Sequence, residues 1–231
     1  MNNWLNPDNK FFSFMGKAFD MVVINVFWLI LCIPIVTIVP ATTAMYYTVV
    51  KVIRRERSYA IKEFFRSFKR NFRQGSFYSL FLVLAVFVMY IDFRYALLLT
   101  EQGESSGSTF LGVFLIIALL LCAVFTFLCP VLSRFDMKWT GILKTAFFMS
   151  TRHILTTLVL LVLMAAVLLG CYIVIPGMFF LPAIGTLLAS FLIERVFKKY
   201  MPAKTERNEA EEGSVADAEE REDAKDEWYL E

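Results

Sequence analysis

One histidine, His153, stands in a chain of 231 residues. A Ser-His-Asp triad or a His-rich metal centre therefore has almost nothing to be built from. The other carriers of chemistry are missing too: no H-E-x-x-H, no phosphate-binding P-loop and no Gly-rich dinucleotide turn can be found. The four cysteines, Cys32, Cys122, Cys129 and Cys171, all lie inside apolar runs. They form neither a disulfide framework nor a clustered ligand set, and they read as small hydrophobes. Charge is scarce at 19% of residues. No cleavable signal peptide is expected, because Asp8, Lys10 and Lys17 precede a late apolar run without an A-x-A-like site. No enzyme activity, metal, cofactor or nucleic-acid partner is expected.

What is abundant is apolar surface: 58% hydrophobic, 16% aromatic, mean hydropathy +0.61. Soluble chains are nearer half apolar and a quarter charged. Charge is also divided unevenly. Residues 202–231 hold twelve Asp/Glu against four Lys/Arg, a net of −8. Residues 1–201 hold nine acids against nineteen bases, a net of +10. Three regions follow: an N-terminal interfacial segment (1–17), a transmembrane helical domain (18–200) and an acidic, disordered tail (201–231).

A spanning helix needs about 20 apolar residues. Ala18–Val39, Phe77–Leu99, Phe110–Leu132 and Ile154–Ile175 meet that length. Ala41–Arg57 is short, and its status rests on a repeat. Pro34–Ala44 (PIVTIVPATTA) and Pro176–Thr186 (PGMFFLPAIGT) match at one offset: Pro34 with Pro176, Pro40 with Pro182, Ala41 with Ala183. Each precedes an apolar helix ending in bases that can snorkel. The pair predicts two hairpin bends, since proline stops one helix and suits the first turn of the next.

Between spans, Tyr59–Gly75 predicts an in-plane amphipathic helix. Ile61, Phe64, Phe65, Phe68 and Phe72 share one arc, facing lipid. Lys62, Arg66, Lys69, Arg70 and Arg73 share the opposite arc, facing anionic headgroups. Arg134–Arg152 repeats this more weakly, with Trp139, Ile142, Leu143, Ala146 and Met149 on one face. Phe64-Phe65 and Ser67 match Phe147-Phe148 and Ser150 at a second single offset. Thr100–Thr109 reads as a flexible polar loop.

The fold class is therefore all-α: a polytopic membrane bundle of six transmembrane helices, alternatively five, with two amphipathic cytoplasmic interface helices and an internal repeat. Both bends outside and both termini in the cytoplasm leave only Arg94 outside. If Ala41–Arg57 does not cross, five helices remain and Lys10 and Lys17 move outside.

Binding candidates are Pro34, Thr37, Pro40, Thr42 and Thr43 in the first bend, Pro176 and Pro182 in the second, and the charges Asp92 and Arg94 near the outer end of a span. Intramembrane aspartyl chemistry would need facing carboxylates, and Asp20 and Asp92 fall at opposite faces. An enzyme acting on lipid or polyprenyl substrates would have only Asp20, Asp92 and His153 to draw on.

The run Trp28-Leu29-Ile30-Leu31-Cys32-Ile33-Pro34, the stretch Pro40-Ala41-Thr42-Thr43-Ala44 with Tyr46, the basic Phe-rich linker and the second Pro-Ala bend resemble the YesL-like family of small bacterial membrane proteins of unknown function. The resemblance covers about residues 10 to 200. It implies a Gram-positive cell-membrane protein whose relatives neighbour carbohydrate importers and sensor kinases in gene order, and it carries no catalytic or ligand residues. An accessory role in carbohydrate uptake is the expectation, with the lipid bilayer and a transporter or sensor-kinase subunit as partners. A small transporter or channel in its own right is the alternative.

Overall fold

The computed structural model describes residues 10–54, 59–102 and 105–200. The start of the interfacial segment, Arg55, Arg57 and the acidic tail lie outside them. Among the described residues the elements are all helical: α1 (Lys10–Cys32), α2 (Ile38–Thr48), α3 (Ala60–Glu101), α4 (Ser105–Arg134), α5 (Trp139–Arg152), α6 (Ile154–Ile173) and α7 (Leu181–Lys198).

Both proline stretches make bends. α1 stops before Pro34, whose ring disfavours helix in the residue ahead of it, and a 3-10 turn (Ile35–Thr37) leads into α2. The Thr37 hydroxyl donates to the carbonyls of Leu31 and Pro34, covering orphan acceptors where α1 ends. The second bend is the same device: a 3-10 turn (Ile175–Phe179), then α7 with Pro182 in its first turn. Pro40 likewise sits in the first turn of α2.

α2 continues through a π-helical turn, Val49–Arg54. Five stretches are long and apolar enough to cross a bilayer: Met15–Cys32, Ile35–Arg54, Ala60–Glu101, Gly107–Arg134 and Ile154–Ile173. In Ile35–Arg54, 78% of residues are buried, against 6–17% in the other four. So α2 is the interior helix and the others wrap it. One side of it (Val39, Tyr46, Tyr47, Val50) packs with Phe127, Val131, Ile142 and Phe197. The other (Ala44, Met45, Val49, Ile53) packs with Ile24, Phe64 and Ala183. Outward faces stay apolar: Phe19, Leu84, Phe87, Ile116, Leu155 and Leu168 are all more than half exposed. Such a surface belongs in hydrocarbon, and the chain is a membrane protein.

α3 departs from expectation. The amphipathic stretch and the following span are one helix of 42 residues, about 63 Å long at 1.5 Å per residue. No break occurs at Gly75, because Gly75 is a helix-packing position rather than a terminator. Lys51 pairs with Glu63, a methyl on Gly75 would lie 2.9 Å from Cβ and Cδ of Pro40, and Val39 N–H donates to Ser79 Oγ at 3.0 Å. The first half of α3 thus runs antiparallel along all of α2. Its inward stripe is Glu63, Phe64, Ser67, Asn71, Gly75 and Tyr78. The aromatic arc is consequently not all lipid-facing: Phe64 is fully buried, and Phe27 of α1 packs edge-on to Phe65 at 5.1 Å. On α5 the inward positions are Ile142, Ala146, Met149 and Ser150, while Trp139 is half exposed against Phe77.

The expected Thr100–Thr109 loop is mostly helix: α3 runs to Glu101 and α4 restarts at Ser105. The hairpin zips through Phe93–Phe114 and Tyr95–Phe110. Pro130 lies inside α4 without ending it.

Gly75→Ala is expected to destabilise. The Pro40 ring cannot swing away, and overpacking costs about 1–3 kcal/mol, more than the roughly 1 kcal/mol gained by replacing a helical glycine. A lower thermal midpoint in detergent, lower still for Gly75→Val, is the expected outcome.

Candidate functional site

The interior charges converge on α2. The Tyr46 hydroxyl donates to Glu194 Oε1 of α7 at 3.0 Å, and the same oxygen receives the guanidinium of Arg134 at the end of α4. All three side chains are buried. One turn further along, Lys51 Nζ donates to Glu63 Oε2 at 3.1 Å and to the Tyr47 hydroxyl at 3.2 Å. Arg54 then closes on α7 from the π-helical turn, donating to the Ser190 carbonyl at 3.0 Å with its guanidinium 4.4 Å from the Phe191 ring. A buried charge is tolerable only when paired and hydrogen-bonded. These pairs therefore tie four helices, α2, α3, α4 and α7, into one arrangement.

None of these pairs was read from the sequence. In the sequence Arg134 reads as a flanking base, and Glu194 stands next to Arg195, which is exposed. Glu63 was not singled out. The available signal was a lone carboxylate on an otherwise apolar or basic helix face.

The bend candidates are spent on packing. Thr37 caps α1, and Thr42 accepts from Trp28 Nε1 at 3.2 Å while donating to the Ile38 carbonyl at 2.7 Å. Pro40 meets Gly75. The Thr43 hydroxyl is buried without a hydrogen-bond partner among the described residues. Pro34 and Pro176 are exposed. The first bend packs on α3; the second packs on α1, where Asn25 Nδ2 donates to the Met178 carbonyl at 2.7 Å. Asp92 and Arg94 sit exposed on the α3–α4 hairpin. The basic arc of Lys62, Arg66, Lys69, Arg70 and Arg73 is exposed along its whole length.

Between the α4–α5 connection, α5 and Tyr200 opens a cavity of about 370 Å³, lined by Phe135, Met137, Lys144, Phe148, Met149 and Tyr200. Gln74 Nε2 donates to the Met137 carbonyl at 3.0 Å and fixes its α3 side. His153 and Tyr200 share a hydrogen bond of 2.9 Å at its other edge. Partial burial, then the charges of Lys199 and Arg152, hold His153 below its ordinary 6.5. A lowered folded-state pKa favours the native form above the unfolded value and loses that contribution as pH falls through the folded one. The lone imidazole should titrate with a midpoint below 6.5 in an NMR pH series, and Lys199→Gln should raise it.

Residues 21–93, from within α1 through α2 into the second half of α3, match the family described as "Protein of unknown function, DUF624". The chain is also 29% identical over 196 residues to "Uncharacterized protein YesL" of Bacillus subtilis (strain 168), covering 81% of this chain and 88% of that one. No solved structure matches. On these matches the chain is similar to a family of unknown function over residues 21–93 and to YesL along most of its length.

Proposed function

We propose that this protein is a non-catalytic, multi-pass accessory of a carbohydrate-import system in the bacterial cell membrane. It acts by packing against a transporter or sensor-kinase subunit. The observation that carries this is the filled centre. Val39, Val49, Val50, Phe127, Val131 and Phe197 have no exposed surface to speak of, and the interior charges are used to join helices. A solute path would need polar groups facing a water-filled route. The bases available to a partner or to anionic lipid instead line one outer face of α3. The carbohydrate link rests on the family resemblance alone.

Two crossing patterns have support. Six helices with both termini cytoplasmic fit the charge distribution. They also fit α7 lying along the whole of α6, from Gly170 beside Leu181 to His153 beside Tyr200. Five fit the register of α2, which lies beside the half of α3 that carries five exposed bases, an arrangement poorly suited to hydrocarbon. A reporter at the N-terminus reads inside for six and outside for five.

The function is tested with purified protein. Liposomes containing it alone should pass no sugar, and a tagged copy in native membranes should co-purify with a carbohydrate-importer or sensor-kinase subunit. Sugar flux from the protein alone would establish the transporter alternative instead.

A further inference from the structure

We propose that residues 226–231, Asp-Glu-Trp-Tyr-Leu-Glu, dock in the cavity between the α4–α5 connection, α5 and Tyr200 of the same chain. Three observations converge on that occupant. First, Tyr200 is both the end of the described C-terminal stretch and a wall of the cavity. Only residues 201–225 separate that rim from the segment. A random coil of that length would span about 25–30 Å, an effective concentration on the order of millimolar.

Second, apolar side chains are concentrated in one place. Within residues 202–231, acids outnumber bases twelve to four, and Val215 apart the large apolar residues are Trp228, Tyr229 and Leu230. The cavity offers Phe135, Met137, Phe148 and Met149 to them. Aromatic anchors in an apolar pocket are the usual source of interface energy.

Third, the charges complement. Asp226, Glu227 and Glu231 flank the apolar trio. Around the cavity stand Lys144 in its wall, Arg152 stacked 5.4 Å from the Phe148 ring, Lys138 beside Met137 and Lys199 beside Tyr200. Asp136 is the opposing charge on that connection. An apolar centre ringed by charge pairs gives a contact that weakens as salt rises. It holds whichever crossing pattern applies, because the cavity and Tyr200, from which the segment is reached, share the α7 end of the bundle.

The test is photo-crosslinking in the full chain. Phe148, half exposed and therefore replaceable without disturbing the core, is changed to p-benzoylphenylalanine. Isotopically heavy and light chains are co-reconstituted in nanodiscs containing anionic phospholipid, irradiated, digested and read by mass spectrometry. The expected product joins residue 148 to residues 226–231 of the same chain. Its yield should fall about ten-fold in the Trp228→Ser/Leu230→Ser chain, as loss of an anchor side chain predicts. It should also fall in Lys144→Glu and in high salt, and hold in Val215→Ser. Crosslinks to phospholipid, crosslinks between heavy and light chains, or a yield indifferent to Trp228 and Leu230 would each overturn the proposal.

Discussion

Glu194→Ala should lower the thermal midpoint of the detergent-solubilised protein by on the order of 10 °C. Glu194 Oε1 takes both the Tyr46 hydroxyl and the Arg134 guanidinium, and the carboxylate is buried. Removing one partner of a buried ion pair costs about 3–5 kcal/mol, because the other charge stays behind in a low-dielectric site. For a chain of this size each kcal/mol moves the midpoint by roughly 2–4 °C. Glu194→Gln keeps an acceptor for Tyr46 and should lose less. The double replacement Arg134→Met/Glu194→Leu should lie closer to the wild type than Glu194→Ala, since neither charge then remains. A double variant as unstable as the sum of its singles would mean that the two side chains do not interact.

Charge reversal between α2 and α3 should produce the second large effect. Lys51→Glu sets a carboxylate against Glu63, 3.1 Å from where the ammonium stood, in a site where both side chains are at least nine-tenths buried. The loss should match or exceed that of Glu194→Ala. Glu63→Lys in the same chain restores an opposite pair, and the midpoint should recover by more than half. The cycle should show coupling of about 1–3 kcal/mol, the range for contacting residues in one network. This pair fixes the register of α2 against α3, so its loss should also expose the Pro40–Gly75 contact.

Much of the scaffold was visible in the sequence because it depends on local chemistry. Apolar runs of spanning length became α1, α4, α6 and the second half of α3. The matched prolines became matched bends, since Pro34 and Pro176 act on their own neighbours. The basic arc of α3 is where periodicity put it, because Lys62, Arg66, Lys69, Arg70 and Arg73 need water whatever they are attached to.

What periodicity could not show is which apolar helix goes inside. Ile35–Arg54 has the lowest mean hydropathy of the five candidate spans, 1.4 against 1.7–3.0, yet of the five it alone is mostly buried. The reason is tertiary: Ala41, Ala44 and Gly75 let backbones approach closely, a short-range fit that composition does not report. The polar contacts at its heart join residues 60 and 148 positions apart. On a linear sequence Arg134 and Glu194 look like interface flanks. Gly75 misled for a related reason, since a glycine at a polar-to-apolar boundary reads as a helix end until Pro40 is seen against it.

The enclosure of α2 is best tested by thiol accessibility in native membranes, in a background lacking the four native cysteines. Ala44→Cys, Val49→Cys and Val50→Cys lie on α2 and its continuation, with Leu84→Cys and Leu158→Cys on outward faces as references. The α2 thiols should resist both lipid-soluble and water-soluble maleimides until the protein is denatured, while the references react with the lipid-soluble reagent. If the α2 positions react like the references, the helix faces lipid. If they react with the water-soluble reagent, it lines a path. Either result would contradict a buried α2 at the centre of the bundle.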